Sequence, residues 1–157
     1  MKTAVQAITG KENFSDLKEP VQALAQFYCA FNNRDMDMMS QNWHQTEEIA
    51  MDNPLGGIKR GWNEIKEVYE KIFNGPAKVY VEYYDYSIHV TKEIFYSVGR
   101  ERGTFVKGDK TIDLKIRTTR VFKLVNGTWK QVHHHGSIEY PELLKEYQDV
   151  VLGKNLE

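Results

Sequence analysis

The sequence is short of almost everything that marks a chain as exported, membrane-bound or nucleic-acid-binding. Cys29 is the one cysteine among 157 residues, so no internal disulfide can form. It lies between Tyr28 and Ala30 in an apolar helical pattern with no cation near it in sequence, which reads as a buried structural thiol rather than an activated nucleophile. Neither charge sign dominates. The 21 Lys and Arg stand against 22 Asp and Glu, a net charge of -1, so the basic footprint that nucleic acid or anionic lipid requires is missing. No apolar stretch reaches membrane-spanning length, and the opening MKTAVQAITGKENFSD has an early Lys without the apolar run of a signal peptide. A cytoplasmic location is expected. A phosphate loop, a dinucleotide fingerprint, a cysteine cluster and a serine nucleophile elbow are also missing, so nucleotide chemistry is disfavoured and no cofactor is expected.

What is present is the ordinary stuff of a globular chain. Hydrophobic residues make up 41% and charged residues 27%, and no repeat, low-complexity tract or linker divides the sequence. One domain over 1–157 is expected, with an N-terminal arm at 1–17, a core at 18–138 and a closing helix at 141–151. Residues 19–32 carry Val21, Leu24, Phe27, Tyr28 and Phe31 at helical spacing, opened by Pro20. Asp35 can cap a short second helix to about Trp43, and a third runs from Gly61 to Phe73, ended by Asn74-Gly75-Pro76. A short extended piece spans Glu48–Asp52. From Lys78 the apolar period becomes two, giving long strands at about 78–90, 94–106, 111–125 and 128–138, the last two joined by an Asn126-Gly127 hairpin turn. Helices first and strands after imply an α+β fold with helices against one face of a bent, mainly antiparallel sheet. Apolar groups on both strand faces suggest that the outer face is covered by a second copy of the chain, a homodimer.

The run Thr119-Arg120-Val121-Phe122-Lys123, followed by Asn126-Gly127-Thr128-Trp129-Lys130-Gln131-Val132-His133-His134-His135-Gly136-Ser137, resembles the terminal hairpin of SnoaL-like proteins and of the calcium/calmodulin-dependent kinase association domain. Both belong to the nuclear transport factor 2-like superfamily. Met51-Asp52-Asn53-Pro54-Leu55-Gly56-Gly57 resembles the Asp-Pro-x-Gly segment of ketosteroid isomerases and SnoaL-like cyclases. The resemblance covers about residues 18–138. It implies a cone-shaped α+β barrel enclosing a pocket, in a superfamily that mixes isomerases, dehydratases, cyclases, hydrolases and binding modules.

Candidate site residues follow from both lines. Arg120 stands alone among Ile112, Leu114, Ile116, Thr118, Phe122 and Leu124 on one strand face, and a buried guanidinium needs an anion. Glu101 or Asp52 can supply that anion, or a ligand can. Arg100 shares a face with Ile94, Tyr96, Val98, Arg102 and Thr104, and the resemblance makes it a second pocket arginine, which points to a small anionic or carbonyl-bearing ligand. The resemblance likewise makes Asp52 the general base, aligns Tyr69 with a pocket tyrosine, and places Phe27 where the isomerases carry an oxyanion-hole tyrosine, with Tyr28 one position off. Trp43 and Tyr84 are expected on the pocket wall. Alternation groups His134 with Val132, Gly136 and Ile138, and His133 and His135 with Trp129 and Ser137. The resemblance turns the first set to the pocket, where His134 would assist catalysis. A metal on the His133–His135 strand would need a third ligand, and neither His89 nor Asp52 can be placed there from sequence. Three readings stay open: an acid-base enzyme without cofactor, a non-catalytic binding or dimerisation module, and a metal-dependent enzyme.

Overall fold

The computed structural model describes residue 4 and residues 6–153. Four helices pack on a six-stranded sheet: α1 (Glu19–Asn32), α2 (Met36–Asn42), β1 (Ala50–Asp52), β2 (Ile58–Arg60), α3 (Gly61–Asn74), β3 (Lys78–Val90), β4 (Ile94–Lys107), β5 (Lys110–Val125), β6 (Thr128–Ile138) and α4 (Pro141–Leu152). The strand order is β2-β1-β6-β5-β4-β3, antiparallel except where β1 runs parallel to β6. This is the cone-shaped α+β architecture expected. β2 was not anticipated, because its three residues are all exposed and carry no period; it forms where the Gly56-Gly57 bend folds the chain back on β1.

Each helix forms for a local reason. Pro20 opens the first turn of α1, which buries Ala23, Leu24, Ala25, Phe27, Tyr28 and Ala30. The Asp35 carboxylate caps α2 by accepting from the Met38 backbone N–H at 2.9 Å. α3 buries Trp62, Ile65, Tyr69 and Phe73, one stripe on an otherwise charged helix. Each such aromatic or aliphatic side chain contributes about 1.5–3 kcal/mol by leaving water. Asn126 and Gly127 both have positive φ (50° and 79°), as the tight β5–β6 hairpin requires.

Two bulges decide which side chains point inward. At Tyr84–Ser87 the register of β3 against β4 shifts around Asp85 (φ 48°), sending Tyr86 as well as Tyr83 to the helix side. Between Val121 and Phe122 the register of β5 shifts against β6, where Val132 is the extra residue. Gln131 therefore joins His134, Gly136 and Ile138 on the inner face, in place of the Val132 that simple alternation put there.

The N-terminal arm covers the β3 edge. Met1–Thr3 and Val5 lie outside the described residues, but Ile8 is 2% exposed and bridges Tyr83 with reciprocal backbone hydrogen bonds of 2.8 and 2.9 Å. Gly10 makes that approach possible: its φ is +84°, and a Cβ there would lie 2.3 Å from the Cys29 backbone nitrogen. At the far end, α4 lays Tyr147 edge-on against Phe105 and donates from Gln148 to the Leu55 carbonyl, so it caps the sheet.

Candidate functional site

A chain of buried polar groups crosses the interior from β4 to the helices. Arg120, 1% exposed, donates from one terminal nitrogen to Glu101 at 2.7 Å, from the other to Gln131 at 2.8 Å and from Nε to the Tyr28 hydroxyl at 3.2 Å. Tyr28 in turn donates to Glu101 at 2.6 Å. Gln131 continues the line by donating to Asn42 (3.0 Å), and Asn42 donates to the Ala23 carbonyl and to Gln26, both at 2.9 Å. The guanidinium also sits 3.5 Å above the Phe27 ring centroid, in cation–π geometry. The anion that Arg120 requires is Glu101, so its charge is matched within the protein.

Beside this chain lie buried polar atoms that bond to nothing. Among the described residues, the Trp43 indole nitrogen, the Thr118 hydroxyl and both ring nitrogens of His134 have no hydrogen-bond partner. Pairing of β6 with β5 sets His134 opposite Arg120 and Gly136 opposite Thr118, so the unpartnered imidazole and hydroxyl are diagonal neighbours on the inner face. His134 is held well below the ordinary histidine pKa, first by burial and then by Arg120, with His133 and His135 adding to it; the ring is therefore neutral. Burial pushes the Tyr69 hydroxyl up to about 12 against the lowering pull of Arg120 and Trp43, so it stays protonated, and it donates to the Met51 sulfur at 3.6 Å. Tyr69 and Trp43 stand with ring centroids 6.3 Å apart. Pro54 closes over Gly136: a Cβ at Gly136 would lie 2.6 Å from Pro54 Cγ and 3.2 Å from His134 Nε2.

Five of the residues picked from sequence as site candidates meet in this interior: Phe27, Trp43, Tyr69, Arg120 and His134. Three do not. Asp52 faces outward, because parallel pairing of β1 with β6 sets Met51 beside His134 and Asp52 beside His135, and Asp52 Oδ2 lies 2.8 Å from His135 Nδ1. Arg100 also faces outward, paired with Asp85 and, at 3.6 Å, with Glu139. On β4 the inward residues are Phe95, Ser97, Glu101 and Phe105. Period two had grouped Arg100 correctly with Tyr96 and Val98 but cannot say which group is inside. Tyr84 lies outward as well, under the Arg102 guanidinium at 4.3 Å, since Tyr83 takes the inner position. Sequence reasoning missed Gln131, which the Val132 bulge hides, and Asn42, buried where α2 meets the Ala23 carbonyl of α1. It named Phe27 for the place from which Tyr28 supplies the hydroxyl.

The sequence model of the SnoaL-like domain matches residues 21–141, more than three quarters of the chain. This chain belongs to the SnoaL-like domain family. Solved structures agree on the SnoaL-like fold. A nuclear transport factor 2-like superfamily protein from Salmonella enterica serovar Typhimurium aligns with a TM-score of 0.70 and 21% identity over 82% of this chain and 94% of its own. A protein from Streptomyces avermitilis proposed to be a dehydratase of the NTF2-like family gives 0.69 and 20%, covering 80% and 97%. A proposed calcium/calmodulin-dependent protein kinase type II association domain from Thiobacillus denitrificans gives 0.64 and 23%, covering 79% and 98%. No curated protein sequence matches. Among the described residues no helix of this SnoaL-like chain is long and apolar enough to cross a membrane.

Proposed function

We propose that this SnoaL-like protein binds a small uncharged organic molecule bearing a carbonyl or hydroxyl group at the inner face of β5 and β6, and that His134 exchanges a proton with it. The observation that carries this is the buried, neutral His134 ring with neither nitrogen bonded. A buried polar group without a partner costs about 1–3 kcal/mol, and the Thr118 hydroxyl, diagonal to His134 across the β5–β6 pairing, incurs the same cost. A ligand oxygen at this place would relieve both. Because Glu101 already matches Arg120, of the anionic and carbonyl-bearing ligands expected from sequence the uncharged, carbonyl-bearing one fits better.

The chemistry follows from the protonation states. One nitrogen of neutral His134 holds a lone pair that can take a proton from carbon next to a carbonyl. The protonated ring, destabilised by burial and Arg120, readily gives it back. The Trp43 N–H and Tyr69 O–H are donors for the negative oxygen that develops meanwhile. An isomerase, dehydratase or cyclase that needs no cofactor runs on such steps, and the similar Streptomyces avermitilis protein is itself proposed to be a dehydratase. Phenol, an uncharged mimic of an enol, is the probe. Calorimetric titration should give saturable binding to the wild type and at least tenfold weaker binding to His134→Phe with unchanged circular dichroism. Equal binding by both would refute the assignment.

A second feature supports assembly. Ile94, Tyr96 and Val98 stand in a row on the outer face of β4, 41%, 41% and 46% exposed, with His89 stacked on Tyr96 at 4.5 Å. We read this face as the contact between two copies of the chain. Sedimentation velocity should find a dimer that Tyr96→Lys dissociates; a monomeric wild type would overturn the reading.

A further inference from the structure

We propose that Asp52, His133 and His135 form a binding site for a divalent transition-metal ion such as zinc, on the opposite side of the sheet from the interior groups and independent of them. The parallel pairing of β1 with β6 sets Ala50 beside His133 and Asp52 beside His135. It thereby supplies the third ligand that the histidine strand lacks in sequence. Each of the three side chains offers one ligand atom, and these atoms lie within 4.8 Å of one another. Bonds of about 2.0–2.2 Å to nitrogen and oxygen in a tetrahedral sphere would set ligand atoms roughly 3.4 Å apart. Asp52 Oδ2 and His135 Nδ1 are already at 2.8 Å, and the His135 side chain, 53% exposed, is free to adjust.

The surrounding hydrogen bonds orient both imidazoles for coordination. The Ala50 carbonyl, 2.9 Å from His133 Nδ1, can only accept, so Nδ1 carries the proton and Nε2 keeps its lone pair. Ser137 Oγ lies 2.9 Å from His135 Nε2 and can accept its proton, which leaves Nδ1 free to bind metal beside Asp52. The ion would take the place of the direct contact between His135 Nδ1 and Asp52 Oδ2. Two histidines and one carboxylate leave positions open on the metal. Asp52 and His135 line a groove of about 490 Å³ shared with Pro54, Ile138 and Leu144, which gives water or an organic ligand room at those positions. Arg117 lines the same groove and favours a ligand with negative charge. His89 takes no part: it lies on β3, three strands from β6, bonded to Ser87.

The test uses full-length protein without a histidine tag, stripped with chelator and titrated with cobalt(II), whose visible absorption reports coordination by nitrogen and oxygen. One saturable equivalent is expected, displaced by zinc(II), with affinity at least tenfold weaker in Asp52→Asn, His133→Gln and His135→Gln of unchanged circular dichroism. Saturation that is absent in the wild type, or undiminished in Asp52→Asn, would reduce the cluster to an ordinary ion pair and overturn the proposal.

Discussion

Glu101→Ala is expected to destabilise the protein by about 3–5 kcal/mol, because removing one partner of a buried ion pair leaves the other charge uncompensated. That is a large share of the roughly 5–15 kcal/mol by which a domain is stable. Arg120 and Glu101 are 1% and 4% exposed, and Glu101 also accepts from Tyr28, so the substitution strands a guanidinium and a phenol together. Arg120 cannot shed its charge: burial alone would lower its pKa, but Tyr28 and Glu101 outweigh that and raise it further. The double change Glu101→Leu with Arg120→Met should cost clearly less than the sum of the two single changes, because no charge is then left alone. Denaturant unfolding of the four proteins measures this coupling. A cost below about 1 kcal/mol for Glu101→Ala would mean that water reaches Arg120, and the interior would then be open rather than sealed.

The second large effect is on acid stability. His134 has a folded pKa well below its unfolded value near 6.5. Above 6.5 neither state protonates it, and it adds no pH dependence. Between 6.5 and the folded value the unfolded chain takes up a proton that the folded chain does not. Stability therefore falls with pH by about 1.4 kcal/mol per unit from this group alone. His134→Gln should lose that increment, so the wild-type and variant stability curves should converge as pH falls below 6.5. Parallel curves from pH 7 to 5 would show that His134 protonates within the folded protein. The groups around it are Arg120, His133 and His135, and Arg120 keeps its charge throughout this range.

The contrast between the two faces of the sheet explains what the sequence could reveal. Helix stripes and strand periods were legible because burial selects them directly: Trp62, Ile65, Tyr69 and Phe73 announce α3 without any knowledge of its partner. The lone Arg120 among apolar neighbours announced a buried charge, and Glu101 was among the partners open to it. The direction of a face was not legible, since Arg100 and Glu101 alternate on one strand and only packing decides that Glu101 points in. Asp52 was misplaced for a related reason: β1 has three residues, too few for a period, and its orientation comes wholly from its register with β6. The Val132 bulge hid Gln131, because one extra residue inverts alternation for everything before it.

These placements move the candidate chemistry from Asp52 to His134, and favour the uncharged, carbonyl-bearing ligand over the anionic one. The most direct measurement is nitrogen NMR of ring-labelled histidine during a titration with phenol. The His134 nitrogens should shift saturably while those of His133 and His135 stay in place. Movement of His133 and His135 with His134 unchanged would put the ligand on the outer face and contradict it.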